Sequence, residues 1–367
     1  MDNRSTGISA YQLGIFLIVT MVGVGILTLP REVVEIADTD GWMLVLSSGA
    51  LTMGWSLIIN YLSSLFPNQT VIEYSGELMG RPLGLVVGIL FMANYIIFAA
   101  FSVRIFGEVL KMFLLPRTPI EVIIMTFLIA SAYLVRKGLE GIARFYEIIS
   151  LIKFIPFFLA LLAGASQVDF TNLLPIFQAS PLRMASGTLQ IIFSFLGFEI
   201  LFLFLPYVSD RGNIKKSLII SVSIIIMIYL FTVFFVIASF GSEEVKLLMW
   251  PLMAYIKSVQ VPGAFIEQLE GVIMTIWVLF IYTTMSTMCF SASFTINRLL
   301  KTQEQRIYAV AILPLIYFLS LLPDNLPQLY DWLSIVAVYL GNAIALFLPI
   351  LLLLLAKIRK KGVKTDG

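Results

Sequence analysis

Two ionisable side chains lie deep inside apolar stretches of this chain. Glu199 follows Gly197 in one stretch, and Lys153 lies within the segment Ile152–Pro156 in another. A charged residue at mid-membrane costs about 2.5 to 3.5 kcal/mol on insertion scales, so each group needs a partner, a proton change or water. Glu199 suits either recognition of a ligand ammonium or proton binding. The alternative is a protonated structural carboxyl that caps a broken helix by hydrogen bonding.

Lys153 is the only basic residue deep in a predicted membrane span. Its ammonium would supply a fixed positive charge where another transporter holds a sodium ion, or it would change protonation during a coupling cycle. The alternative is that its long stem lets the ammonium reach the membrane interface.

Glycine-centred interruptions stand at matching positions in the first and sixth apolar stretches. They are Gly23-Val24-Gly25-Ile26 and Gly197-Phe198-Glu199. Inside a bilayer, unwound backbone persists only where protein buries it or where it lines a cavity, and paired breaks indicate a mid-membrane ligand site. The glycines leave backbone N–H groups at the second half-helix free to meet a carboxylate. Close helix packing by small residues is the alternative interpretation.

Side chains on two other spans are candidates for the walls of such a site. Thr283 and Thr284 place hydroxyls on the eighth span, and Phe98 shares one helical face of the third span with Tyr95 and Ser102. The alternative for both sets is packing or hydrogen bonding between helices.

The composition predicts that these residues are held by membrane-spanning helices. Of 367 residues, 59% are hydrophobic and 13% are charged, against roughly 25% charged in a soluble domain. The mean hydropathy is +0.97. With about 20 residues needed per crossing, ten spans are predicted: 10–36, 42–66, 84–113, 119–135, 142–164, 183–208, 215–240, 266–296, 306–322 and 331–356.

The predicted spans form one polytopic membrane domain, 1–367, made of two halves. Five spans, about 10–164, precede a central loop and five, about 183–356, follow it, so the second half must be inverted relative to the first. With both termini in the cytoplasm, sixteen basic residues fall inside and seven outside, as the positive-inside rule requires. The basic tail, 357–367, is expected to contact anionic lipid rather than nucleic acid.

Several classes of function are disfavoured by what the chain lacks. Cys289 is the only cysteine, and there is no histidine. Internal disulfides are therefore excluded, and the usual metal, haem and acid-base sites lose their commonest ligand. We expect no catalytic residues, no metal and no cofactor.

Several short motifs resemble those of a known family, the B subunits of endospore nutrient-germinant receptors, within the amino acid, polyamine and organocation transporter superfamily. The similar pieces are Gly23–Arg31, Asp40-Gly41-Trp42, Leu114–Pro119, Ser194–Glu199, Trp250-Pro251 and Phe265-Ile266-Glu267. Together they run nearly from end to end of the chain.

The resemblance implies a fold like that of the sodium-coupled leucine transporter, in the spore inner membrane. It also implies a complex with a larger A subunit and a C-subunit lipoprotein, and a germinant pocket between spans one, three, six and eight. The implied pocket residues are Gly23, Val24, Gly25, Ile26, Phe98, Leu196, Gly197, Phe198, Glu199, Thr283 and Thr284. Lys153 falls where proton-coupled members of the superfamily carry a lysine, which argues against sodium coupling.

Three hypotheses follow. The first is a germinant-sensing subunit that binds a small nutrient, an L-amino acid, and signals to its partners. The second is a proton-coupled amino acid permease, and the third is a structural membrane anchor. The apolar candidates Phe98, Leu196 and Phe198 favour a ligand with a small or aliphatic side chain.

Overall fold

The computed structural model describes residues 7–259, 269–302 and 304–362. Within them the regular secondary structure is helical, with one isolated bridge between Ile8 and Val208, which confirms the predicted all-α fold. The helices are α1 (Ala10–Met21), α2 (Gly25–Ala37), α3 (Gly41–Leu65), α4 (Val71–Met79), α5 (Arg81–Phe113), α6 (Ile120–Val135), α7 (Gly138–Ala163), α8 (Pro181–Ile191), α9 (Leu201–Phe204), α10 (Ile214–Leu247), α11 (Pro251–Ser258), α12 (Leu269–Leu300), α13 (Gln305–Ala311), α14 (Leu313–Leu321), α15 (Leu326–Val336) and α16 (Leu348–Ile358).

Six helical stretches of the described chain are long and apolar enough to cross a membrane. They are Gly25–Leu65, Arg81–Phe113, Gly138–Ala163, Arg211–Leu247, Thr275–Leu300 and Leu326–Ile358. A bent pair, Pro181–Phe195 with Phe198–Tyr207, makes a seventh candidate. Shorter apolar helices cover Ala10–Met21, Ile120–Val135 and Gln305–Leu321. The protein is therefore an integral membrane protein, and the count of ten spans stays a prediction.

Parts of the sequence interpretation lie outside the described residues. The motif Phe265-Ile266-Glu267, the first residues of the predicted eighth span and the last residues of the basic tail belong to this group. Another element, α4, is not predicted by the sequence analysis. It begins with a capping box in which the backbone N–H of Thr70 donates to the Glu73 carboxylate at 2.7 Å. That motif is the local signal for a helix start.

Loops predicted to lie on the same side of the membrane contact one another. Ile8 N–H donates to Tyr207 O at 3.0 Å, and Arg211 donates to Asn68 at 2.7 Å. We call this the inner end of the bundle. At the opposite, outer end, the Lys246 ammonium lies 2.5 Å from Asp38. These contacts group the loops at two ends of the bundle, and which end faces the cytoplasm stays a prediction.

Asp40 fixes a corner at the outer end. Its fully buried carboxylate accepts three successive backbone N–H groups, from Phe177 at 2.6 Å, Gln178 at 2.5 Å and Ala179 at 2.8 Å. Bonds from backbone N–H to a carboxylate are charge-assisted and therefore strong. The turn between α2 and α3 is thus joined to the central loop that precedes α8.

A short helix, α11, closes the outer end beside this corner. Burial raises the pKa of Tyr255 to about 12, so its phenol keeps its proton and donates to Leu161 O at 2.6 Å. Trp250, which precedes the helix, packs on the Phe113 ring with 6.0 Å between ring centroids. The sequence motif Trp250-Pro251 therefore anchors α11 to the bundle.

Candidate functional site

The first break separates α1 from α2. The helix ends at Met21, and Gly23 N–H turns back to donate to Met21 O at 3.0 Å. A Cβ at Gly23 would overlap the Thr284 hydroxyl, so the unwound backbone approaches the eighth span more closely than any other residue would allow. The sequence-predicted break is therefore present, and Gly23 serves as its contact with α12.

Lys153 reaches the open end of α1 from the fifth span. Its ammonium donates to Thr283 Oγ1 at 2.9 Å and to Val19 O at 3.5 Å. It also lies over the Phe280 ring, 4.5 Å from the centroid. The side chain is 0% exposed. It therefore points into the protein, and the alternative in which the ammonium reaches the membrane interface is wrong.

The groups around this ammonium are those that hold a cation in a broken-helix transporter. Val19 O also accepts from Thr283 Oγ1 at 3.1 Å, and Thr20 O accepts from Thr284 Oγ1 at 3.0 Å. Carbonyls at the end of a half-helix carry partial negative charge, and unwound carbonyls with neighbouring hydroxyls coordinate Na⁺ or H⁺ in such folds. Lys153 thus places its amine nitrogen where those groups converge.

A second group of hydroxyls ties the same region together. Tyr146 donates to Thr283 O at 2.7 Å, and its hydroxyl lies 2.9 Å from Thr287 Oγ1. Thr20 Oγ1 lies 3.0 Å from Thr287 Oγ1. Spans one, five and eight are therefore joined by a buried network around Lys153.

The second break lies in the sixth span, where the helix axis bends by 61°. Gly197 adopts φ +119°, a left-handed conformation that favours glycine. Glu199, which is 3% exposed, accepts from Gly197 N–H at 2.7 Å through one carboxylate oxygen. The structural alternative for Glu199, a carboxyl that caps the break, is therefore present in the structure. The cap occupies one oxygen and leaves a ligand role for the other open.

Tyr229 joins the two breaks. Its hydroxyl lies 2.8 Å from Met21 O in the first break and 2.8 Å from Ser194 O in the second. A Cβ on Gly197 would lie 3.2 Å from Met21 Cγ, so the two unwound segments also pack directly against each other. The sequence analysis did not identify Tyr229, because nothing in its local pattern distinguishes it from a packed tyrosine of α10.

A small cavity of about 60 Å³ lies between the two breaks. Seven of the sequence-predicted residues line it: Val24, Gly25, Phe98, Leu196, Gly197, Glu199 and Thr284. The other five do not. Gly23 contacts Thr284. Thr283 and Lys153 hydrogen-bond each other near the end of α1. Ile26 and Phe198 are buried in the hydrophobic core.

Sequence reasoning missed several residues of the cavity wall. They are Thr20, Met21, Thr28, Phe193, Ser194, Met288, Tyr330 and Leu333, while Ser102 was noted only as part of a helical face. Tyr330 also accepts a hydrogen bond from Trp250 Nε1 at 2.8 Å, which connects the cavity to the outer end. No local sequence signal marks that pair.

Glu32 is a partly buried carboxylate whose two hydrogen-bond partners line the cavity. It accepts from Thr28 Oγ1 at 2.6 Å and from Ser194 Oγ at 3.0 Å. A signal for it was available, since Glu32 is seven residues after Gly25 and therefore lies on the same helical face. The carboxylate links α2 to the start of the sixth-span break.

Comparisons with known proteins give matches over most of the chain. A family model described as "Spore germination protein" matches residues 7–329. Spore germination protein YndE of Bacillus subtilis (strain 168) is 32% identical, over 99% of this chain and 100% of its own. Spore germination protein A2 of the same organism is 28% identical, over 93% of each chain.

A solved structure has the same fold. The crystal structure of MhsT in complex with L-phenylalanine matches with a TM-score of 0.66 and 14% identity, over 95% of this chain and 88% of the other. The match confirms the predicted leucine-transporter-like architecture.

Proposed function

The chain belongs to the spore germination protein family, as a B-type receptor subunit, and we propose that it binds a small nutrient germinant, an L-amino acid, in the cavity between the two breaks. Binding would bias a conformational equilibrium that partner subunits read. These partners would be an A subunit and a C-subunit lipoprotein in the spore inner membrane, with both termini of this chain in the cytoplasm.

The observation that carries this proposal is the meeting of complementary polar groups in one enclosed cavity. Val24 and Gly25 bring the amino-terminal end of α2 to the wall, where the first N–H groups of a helix have no intrahelical partner and favour an anion. Glu199 and the Thr284 hydroxyl lie on the same wall. An α-amino acid has a carboxylate for the helix end and an ammonium for Glu199.

The size of the cavity explains why binding would change the conformation. Its volume of about 60 Å³ is small against roughly 300–1,000 Å³ for typical ligand pockets. A bound amino acid must therefore separate the two breaks, which Tyr229 and the contact of Gly197 with Met21 hold together. A ligand shifts such an equilibrium only by its differential affinity for the two forms.

The position of Lys153 favours a second candidate function, a proton-coupled amino acid permease. The ammonium stands where the carbonyls and hydroxyls of the first break would otherwise hold a metal cation. A permease using this site would be driven by protons and would be indifferent to sodium. The two predicted repeats, 10–164 and 183–356, would rock against each other in either function.

Proteoliposomes that contain the full chain separate the two functions. Equilibrium binding and uptake of a panel of labelled amino acids are measured on one preparation, with and without an inward proton gradient. Saturable binding without uptake supports the receptor, whereas gradient-dependent accumulation makes the chain a permease. Absence of any saturable binding, both for the chain and for the assembled receptor, contradicts both.

A matched pair of variants locates the binding site. A methyl group on Gly25 would lie 3.4 Å from Ser194 Cα and would fill part of the cavity, while a methyl on Gly54 meets nothing within 4 Å. We expect Gly25→Ala to weaken amino acid binding at least tenfold, about 1.4 kcal/mol, and Gly54→Ala to leave it unchanged. Equal effects of the two would place the ligand elsewhere.

A further inference from the structure

A second and much larger cavity opens at the inner end of the bundle. Its volume is about 1,500 Å³, and we call it the inner vestibule. Five basic residues from two connecting segments and from the helices α12 and α13 line it: Arg136, Lys137, Arg211, Arg298 and Arg306. Glu304 is the one acidic residue of the lining. The vestibule is therefore strongly cationic.

The positive-inside rule accounts for basic residues at this end but not for their convergence on one cavity. Basic residues that only orient a membrane protein point towards lipid or pair locally, as Arg144 does with Glu140 at 2.6 Å. Arg136 and Arg306 line the vestibule and are exposed, and their side chains make no hydrogen bond or ion pair within the described residues. Like charges on facing walls repel one another, so their arrangement suits an anionic occupant.

Arg298 is the least exposed of these five basic residues. Its guanidinium lies over the rings of Tyr207 and Phe294, 5.4 and 5.1 Å from their centroids. The nearest carboxylate, on Glu73, is 3.8 Å away. The buried Nε atom finds no acceptor among the described residues. An arginine held by two rings with a spare N–H is prepared for an incoming acceptor.

The vestibule lies against the inner ends of both broken spans. Tyr207 and Val208 end the sixth span and line the wall, as does Gly7 next to the first span. Ile8 N–H donates to Tyr207 O at 3.0 Å, and Ser209 N–H donates to Ile8 O at 3.0 Å. An occupant of the vestibule therefore touches the two segments that must separate when the central cavity opens.

We propose that the inner vestibule binds an acidic peptide segment of a partner protein. The volume of the vestibule exceeds the roughly 300–1,000 Å³ of small-molecule pockets. Its basic side chains come from separate parts of the chain, so an extended segment with several carboxylates fits them better than one small anion. The segment would sense the separation of spans one and six directly. This inference rests on the proposed receptor function for the presence of a partner, but the site itself is testable alone.

The test measures binding of a fluorescent octaglutamate peptide to the full chain in nanodiscs of uncharged lipid. The variant is Arg136→Gln with Arg306→Gln, and the matched control is Arg117→Gln with Arg183→Gln, two exposed arginines at the outer end. We expect saturable binding that weakens about tenfold in the inner variant, since exposed ion pairs contribute modestly. The control should bind like the unmodified chain, octaglutamine should not bind, and added salt should weaken binding.

Three results would overturn the proposal. One is absence of saturable octaglutamate binding, and another is equal loss in the inner and outer variants. The third is binding of inorganic phosphate or of the soluble headgroup glycerophosphoglycerol with the same arginine dependence, without binding of the peptide. Amino acid binding to the unmodified chain and to the same variants is measured in parallel. Absence of amino acid binding to the unmodified chain would contradict the proposed function and leave the vestibule result standing.

Discussion

The two breaks differ in what satisfies them. At the first break, the carbonyls of Val19, Thr20 and Met21 receive hydrogen bonds from side chains of spans five, seven and eight. At the second break, the N–H of Gly197 is capped by Glu199, two residues away, while Ser194 bonds with Glu32 and Tyr229 of other spans. Other spans satisfy the carbonyls of the first break, whereas the second break also has a cap from its own sequence.

The contrast indicates where a conformational signal would start and how it would spread. A local cap is unaffected when neighbouring spans move. The first break changes its hydrogen bonds whenever spans five, seven or eight shift, so it responds to the rest of the molecule. The Tyr229 hydroxyl contacts both breaks. Four substitutions test these assignments.

Lys153→Ala should have the largest effect, because it removes the side chain through which span five contacts the first break. Loss of the charged hydrogen bonds to Thr283 and Val19 should lower the free energy of unfolding by about 2 to 3 kcal/mol. Thermal unfolding in choline chloride measures it. In sodium chloride the variant should recover part of this stability, because Val19 O and Thr283 Oγ1 would be free to bind Na⁺. The stability of the unmodified chain should be the same in both salts.

The control for this substitution is Lys111→Ala, an exposed lysine at the end of α5. It should leave both the stability and the salt response unchanged. A Lys153→Ala variant as stable as the unmodified chain in both salts would show that the ammonium does not support the break.

Gly197→Ala should have the next largest effect and acts on the locally capped break. A φ of +119° is strained for alanine, and the new methyl would lie 3.2 Å from Met21 Cγ. We expect a loss of about 2 kcal/mol in the free energy of unfolding, the middle of the range for such backbone strain. Denaturation midpoints measure it, and Gly54→Ala, with open space around it, is the control. Equal midpoints for the two variants would mean that the second break tolerates a side chain.

Tyr229→Phe should have a smaller effect on stability but should loosen the connection between the breaks. It removes the hydroxyl shared by Met21 O and Ser194 O and should cost about 1 kcal/mol. Hydrogen exchange should rise at both breaks together, while Tyr339→Phe, on an exposed tyrosine, should change neither. A rise at only one break would argue against the bridge.

Glu199→Gln should have the smallest effect on stability, because the amide oxygen still accepts from Gly197 N–H. The change in the free energy of unfolding should stay below about 0.5 kcal/mol, whereas Glu199→Ala, which removes the cap, should lose about 1 kcal/mol. Amino acid affinity should fall in both variants if the carboxylate binds an ammonium. Unchanged affinity in Glu199→Gln would limit Glu199 to its capping role.

The fold was predictable because its signals are local. Apolar length marked the spans, and Gly23 and Gly197 marked the breaks. The helix α4 was missed although the capping box at Thr70 announces it. The apolar helices Ala10–Met21, Ile120–Val135 and Gln305–Leu321 are shorter than the about 20 residues of a full crossing, which is why the ten-span count stays a prediction.

The candidate site was predictable only at residues whose type is unusual in their local sequence. A carboxylate at Glu199 and an ammonium at Lys153 are conspicuous in apolar sequence, and both lie at the breaks. Tyr229, Tyr330 and Ser194 were missed, because their roles depend on which helices become neighbours. Ile26 and Phe198 were included among the pocket residues that the resemblance implies, but both side chains are buried in the hydrophobic core.

The carboxylate of Asp40 has a mechanical consequence for the whole bundle. By holding three successive N–H groups of the central loop, it fixes the turn between α2 and α3 to the loop that leads into the second half, and the contact of Lys246 with Asp38 joins the two halves at the same end. A body clamped at one end moves as a lever about that end. We therefore expect the outer corner to act as the fulcrum and the inner ends of the broken spans to travel farthest.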